Sequence, residues 1–380
     1  MVGLLSMVVL VGMGEHMAER FLPLYLQQLA AGTTGVFAIG VLAFLDDFLS
    51  ALYSFPGGYL TDRFGHKRAL LVFNLLSIVG YLIVIFIQKW RAVLLGAAFF
   101  ISWSAISLPA MMELIAGVLP KNKRTMGVSV HSLVRRFPKM LGPVVGGAFI
   151  AVWGVADGVR YAFVAALALA VLAIYFQQVL IAEPPATNHR AERNPFRLYR
   201  QMTPDLRNLL VSDILIRFCE RIPDSFVVLW CIRYVSAFQF GWLSALEQIT
   251  AVLCYIPVAH YADRFSKKPF VVTTFVFFTL FPLALLYSQS LALLIPAFVL
   301  RGLKEFGEPT RKALIMDLAP EDRKAAMFGL YYLLRDVIVS FAAFGGALLW
   351  AIRPELNLLV AFGFGIIGTV WFAARGRDLS

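Results

Sequence analysis

Glu15, His16, Glu19 and Arg20 stand close together in an otherwise apolar stretch. Glu15 and Glu19 are four residues apart, so in a helix their carboxylates share a face. Two carboxylates in a low-dielectric setting resist joint ionisation, which suits reversible proton binding. The competing reading is permanent neutralisation by Arg20 or by a neighbouring helix. His16 fits either a pH-sensing group or a satisfied buried histidine. Asp46 and Asp47 add a second acidic pair, and with Glu15 and Glu19 they are the proton-coupling candidates. Arg135, Arg136 and Lys139 have no acid within a turn on their own segment, so they could hold a carboxylate or phosphate. Arg217/Glu220 and Arg221/Asp224 are opposite charges at i,i+3. Arg301/Glu305, Lys304/Glu308 and Glu308/Lys312 are opposite charges at i,i+4, a spacing that predicts a self-compensating ladder. The substrate-binding candidates are Arg20, Arg135, Arg136, Lys139, Glu220, Arg221, Glu247, Arg301 and Lys304.

These charges must be positioned by apolar elements. The 380 residues are 60% hydrophobic and 15% charged, against about 25% charged in a soluble domain, and the mean hydropathy is +0.76. A membrane span needs about 20 mostly apolar residues. Twelve stretches qualify: 2–30, 35–60, 69–87, 92–118, 126–153, 160–181, 208–233, 237–262, 269–288, 291–318, 326–352 and 356–374. Backbone groups in lipid must be bonded within their own segment, and no two-residue alternation is present, so the expectation is helices and not a barrel. With the end residues Arg160 and Arg233 counted in the connections, eleven Lys/Arg and thirteen Asp/Glu fall inside these spans. Each would cost about 2.5–3.5 kcal/mol or more at mid-bilayer, so they must face one another or water. Apart from Arg160 at the end of span six, spans three, six, nine and twelve carry none, which predicts outer supports around charged spans that line an aqueous path.

Alternate connections carry 18 and 5 Lys/Arg. The positive-inside rule therefore predicts both termini in the cytoplasm. The basic excess is spread over short loops and makes no single patch, so nucleic-acid binding is not expected. Residues 2–13 resemble a signal-peptide core without a basic leader and read as an uncleaved first helix. Cys219, Cys231 and Cys254 have no metal-site or disulfide spacing. The polar, basic stretch 183–207 reads as a linker between an N-terminal six-helix bundle, 1–182, and a C-terminal one, 208–380.

The halves echo each other about 200 residues apart. Asp62-Arg63 with Lys67-Arg68 is answered by Asp263-Arg264 with Lys267-Lys268, and Pro109 by Pro309. Glu15, Glu19 and Phe21 are answered by Glu220, Asp224 and Phe226. Duplicated helical units are the usual build of secondary transporters.

With these motifs the whole chain resembles the major facilitator superfamily. Gly58, Asp62, Arg63, Gly65, Lys67 and Arg68 match that family's signature after the second helix, and Asp263 and Arg264 keep its core in the second copy without the glycines. Gly142, Pro143, Gly146 and Gly147 resemble the glycine–proline motif associated with antiporters, although Pro138 replaces its upstream glycine. The proton-coupling motif of span four is absent, since 101–105 read Ile-Ser-Trp-Ser-Ala. The resemblance implies an all-α multi-pass membrane protein with twelve transmembrane helices in two pseudo-symmetric six-helix bundles. It also puts span five beside span eight and span two beside span eleven. Arg135 or Arg136 with Glu247, and Asp46 or Asp47 with Arg335, would then be gating pairs, with Asp336 next to Arg335.

The expected function is alternating-access secondary transport of a polar charged or zwitterionic solute, coupled to protons or another ion, with export favoured. The expected setting is a lipid-embedded monomer in the cell membrane. One alternative is a divalent-metal exporter using Glu15, His16, Glu19, Asp46 and Asp47. Others are a lipid or lysolipid flippase and a non-transporting receptor. No nucleotide loop or metal-spaced cluster is legible, so neither an enzyme nor a cofactor is expected.

Overall fold

The computed structural model describes residues 2–101, 103, 107, 124–180, 199–262, 267–320 and 324–377. Side chains are described throughout these except at 2–4, 54–63, 66, 124–133, 255–262 and 324–326. Gly58, Asp62, Arg63, Asp263 and Arg264 therefore lie outside the residues whose side-chain surroundings are described.

Among the described residues every regular element is helical. In order these are α1 (Val2–Glu19), α2 (Leu22–Leu29), α3 (Gly32–Phe64), α4 (His66–Phe86), α5 (Trp90–Phe100) and α6 (Arg124–Leu180). There follow α7 (Pro204–Asp224), α8 (Val227–Cys231), α9 (Ala237–Ala262), α10 (Lys267–Tyr287) and α11 (Leu291–Leu303). The last four are α12 (Glu308–Leu318), α13 (Lys324–Ser340), α14 (Ala342–Ile352) and α15 (Pro354–Arg375). Within α6, Gly154 (φ 76°, ψ 175°) bends the chain, so spans five and six are separate rods. Six of the described helical stretches are each long and apolar enough to cross a membrane. Spans one, seven and ten are instead broken near their middles, and span eleven, one of the six, is interrupted at Phe341.

The breaks have local causes. In span one, Pro23 cannot donate to the carbonyl of Glu19. The chain tightens so that the Phe21 amide donates to Ala18 (3.0 Å), and the helix restarts beyond it. Span seven repeats this at the equivalent position, where the Phe226 amide donates to Pro223 (2.8 Å). The Ile222 carbonyl accepts from Asn357 of α15 (3.1 Å), which also donates to Gly346 (2.8 Å). In span ten, Lys304–Gly307 leave the helix before Pro309 restarts it, and the Gly307 amide donates to Thr274 of span nine (2.6 Å).

The chain forms two compact units, Met1–His189 with Val235–Ala245, and Arg190–Tyr234 with Leu246–Ser380. In the first, α1 packs along α6. A Cβ at Gly142 would come 2.8 Å from the His16 Cβ, and one at Gly146 would strike the Met17 carbonyl. The glycine–proline stretch thus lets spans one and five approach closely. Gly147 likewise lies against the backbone of Ala237 in the same unit. The core beside them stacks Tyr81, Phe100 and Phe163, with centroids 5.2–5.7 Å apart.

Lys67 of the first loop motif donates to the Gln178 carbonyl (2.6 Å), at the C-terminal turn of α6 where a cation is favoured. Gln177 donates to the Lys67 carbonyl (2.7 Å) and accepts from Asn74 (2.6 Å), while Trp103 donates to Asn74 (2.8 Å). Spans three and six therefore bury a polar lattice as well as supporting the bundle. Gly65 holds φ 80° just before α4, which explains a glycine there. Arg68 is exposed. In the second unit Lys267 pairs with Asp317 instead.

Candidate functional site

Span seven sets out Asp213, Arg217, Glu220, Arg221 and Asp224 along about 17 Å of α7. Their spacing of four, three, one and three residues keeps them on one face. Span ten presents Arg301, Lys304, Glu308 and Arg311 to that face, across its own break.

The pairs run as one chain of alternating sign, all within the second unit. Asp336 holds Arg335 (2.7 Å), and Arg335 reaches Asp213 (3.4 Å). Asp213 also accepts from Arg311 and from the Tyr331 hydroxyl (3.0 Å). Arg311 grips Glu308 with two nitrogens (2.7 and 3.1 Å), and Glu308 meets Arg217 (3.3 Å). Arg217 donates to Glu220 (2.6 Å), and Lys304 bridges Glu220 (2.8 Å) and Glu247 (3.4 Å). Glu247 meets Arg301 (3.4 Å), Arg301 donates to Asp224, and Asp224 meets Arg221 (3.4 Å). Asp336 and Arg221 are each 34% exposed, whereas Asp213 and Arg311 are 1% exposed.

Aromatic rings back the cations. Phe278 has Arg217 5.3 Å and Lys304 5.9 Å from its centroid. Arg301 lies 5.1 Å from Phe281 and 5.7 Å from Phe298. Tyr332 sits 4.2 Å from Arg335 and 6.0 Å from Arg311. Charge-free span nine thus supplies Phe278 and Phe281 beneath the charges of its neighbours.

The expected self-compensating ladder on span ten is corrected. The Lys304–Gly307 turn interrupts the register that Arg301/Glu305 and Lys304/Glu308 require. Arg301 and Lys304 reach instead to spans seven and eight. Past the break, Glu308/Lys312 keeps its i,i+4 pair, at 3.5 Å. Glu247 and Arg335, expected in gating pairs across the halves, engage these partners within their own unit.

The first unit is differently arranged. The His16 Nδ1 lies 2.5 Å from Glu19. Glu15 and Asp47 are buried, Arg20, Asp46, Arg135 and Arg136 half-buried, and Lys139 exposed. Among the described residues no three His, Cys, Asp or Glu side chains are placed to hold a metal ion, so Glu15, His16, Glu19, Asp46 and Asp47 are not gathered as ligands.

Asp213, Arg311 and Tyr331 join the site without having been singled out from the sequence. The four- and seven-residue steps from Asp213 to Arg217 and Glu220 are the signal that marks Asp213.

A chain whose described residues form only helices, with broken spans and buried alternating charges, has the architecture of a multi-pass membrane transporter. It belongs to the Major Facilitator Superfamily, whose profile matches residues 4–230 and 209–379. A solved POT family transporter in complex with 5-aminolevulinic acid superposes with TM-score 0.79 at 13% identity, covering 97% of this chain and 94% of that one. The nucleoside transporter NupG, solved as a mutant, also gives 0.79 at 11% identity, covering 99% and 100%. At such identities the likeness is one of fold. A Na(+), Li(+), K(+)/H(+) antiporter of Planococcus maritimus is 31% identical over 137 residues, which are 34% of this chain and 32% of the antiporter's length.

Proposed function

We propose that the chain is a proton-coupled secondary transporter that moves a polar charged or zwitterionic small molecule by alternating access, with export favoured. The observation that carries this reading is the unbroken alternating chain from Asp336 to Arg221. Buried charges of this kind are costly in a membrane unless paired, and they mark solute or ion pathways. Pairs that satisfy one another at rest can exchange partners when a charged solute or a proton enters. Glu15, Glu19, Asp46 and Asp47 are the proposed proton carriers, and Arg20, Arg135, Arg136 and Lys139 the proposed basic contacts in the first unit. The proposed organisation is two six-helix bundles, 1–182 and 208–380, joined by 183–207, acting as a monomer in the cell membrane with both termini cytoplasmic. No catalytic step is assigned to it.

A second reading, exchange of a monovalent cation for protons, is favoured by the activity named for the Planococcus relative. Proteoliposome fluxes separate the two. Candidate zwitterions and Na⁺, Li⁺ and K⁺ are each followed with and without a pH gradient. Gradient-dependent zwitterion flux supports the first reading, and gradient-dependent flux of the cations alone supports the second. Fluxes indifferent to the gradient for every transported solute would sink proton coupling.

A further inference from the structure

Glu247 is shared between two cations of span ten. Its ion pairs to Arg301 and Lys304 are both 3.4 Å. The same cations hold their span-seven partners more closely: Lys304 lies 2.8 Å from Glu220, and Arg301 donates a hydrogen bond to Asp224. Each cation thus has one close partner of its own and a looser one in common.

The seat between the two cations does not depend on the Glu247 carboxylate. Arg301 is fixed by Phe281 and Phe298, and Lys304 lies beside Phe278. Both stand at the C-terminal end of α11, where the helix carbonyls favour positive charge. Glu220 and Asp224 restrain them from span seven. Without Glu247 the two cations would keep their places and lack one negative charge. Gly302 keeps that acid within reach, because a Cβ there would lie 2.5 Å from the Glu247 carbonyl oxygen.

We propose that this seat takes the carboxylate of a zwitterionic amino-carboxylate solute, and that the displaced Glu247 receives the solute's ammonium group. The inference rests on the transport reading above and names the solute class and its contacts. Its warrant is charge conservation. One carboxylate replaces another between Arg301 and Lys304, and the ammonium compensates the acid that moved. Neither cation of the seat loses its anion, which would cost several kcal/mol. A phosphate dianion would add a charge to the seat, and an N-acetylated solute would leave Glu247 without its new partner. Glu247 is thus a tethered competitor in the resting state and a ligand in the loaded one.

The test is equilibrium binding to the purified full chain in nanodiscs. The probes are glycine, β-alanine and γ-aminobutyrate, each beside its N-acetyl form. The wild type should bind at least one zwitterion tenfold or more tightly than the N-acetyl form. Glu247→Gln should reverse the pattern, weakening that zwitterion tenfold or more and tightening its N-acetyl form, because the internal competitor is gone. Lys304→Gln should weaken both forms, which keeps the inference testable if Glu247→Gln does not fold. If Glu247→Gln moves both forms in the same direction, or moves neither, the inference is overturned. A wild type that binds none of the three zwitterions overturns it too, while proton-coupled flux of another solute would leave the transport reading standing.

Discussion

Arg311 donates to Asp213 from span ten to span seven, and both side chains are 1% exposed. Asp213 also receives Tyr331 and stands within 3.4 Å of Arg335. Removing its charge leaves the buried network one anion short, although Arg311 keeps Glu308 and Arg335 keeps Asp336. Asp213→Asn is therefore expected to cost about 3–5 kcal/mol. Asp336→Asn, at a 34%-exposed position of the same chain, should cost about 0–1 kcal/mol. Thermal unfolding of the two purified variants checks the contrast, and equal losses would contradict a dry Asp213 and a wetter Asp336.

Gly302 sets the distance between spans eight and ten. A Cβ there would lie 2.5 Å from the Glu247 carbonyl oxygen and 2.6 Å from the Thr250 Cβ. Gly302→Ala should cost about 1–3 kcal/mol by overpacking and should lower solute flux by drawing Glu247 away from Arg301 and Lys304. Gly329→Ala is the control, since nothing lies within 4 Å of its Cβ position. It should leave flux unchanged.

Lys67 closes the end of span six through the Gln178 carbonyl. Lys67→Met should free that turn at a cost of about 0.3–2 kcal/mol. Faster amide exchange confined to the last turn of α6 is the expected signature. Lys67→Arg should retain most of the protection, because it keeps a cation there.

His16 meets Glu19 at 2.5 Å in the first unit. If this pair serves proton movement, His16→Gln should lower gradient-driven flux about tenfold and spare solute counterflow, which needs no net proton transfer. Parallel loss of both activities would mark His16 as a packing residue, consistent with its close approach to Gly142.

The fold was largely legible because burial in lipid leaves few options. Apolar length predicted helices, and the echo of Glu15, Glu19 and Phe21 in Glu220, Asp224 and Phe226 matches breaks at equivalent places in spans one and seven. The pairs Arg217/Glu220 and Arg221/Asp224 follow from spacing alone, since α7 is regular there. In span ten, helical spacing carried through Lys304–Gly307 gives the wrong pairs, because Gly307 and Pro309 accompany a break there. The partners of Asp213 on spans ten and eleven are not marked in the sequence, because spacing within one helix does not show contacts between helices. Asn74, Trp103 and Gln177 carry no charge, so nothing in the pattern set them apart from the support helices around them.

The most direct test follows protons and solute together. Liposomes holding the purified chain and a pH-sensitive dye are given an outward gradient of a transported zwitterion, with no initial pH difference. Proton coupling requires the lumen pH to move as solute leaves, in fixed proportion to the flux, and the movement to vanish in a variant of a proposed proton carrier such as Asp47→Asn. Solute efflux that leaves the lumen pH unchanged would contradict it.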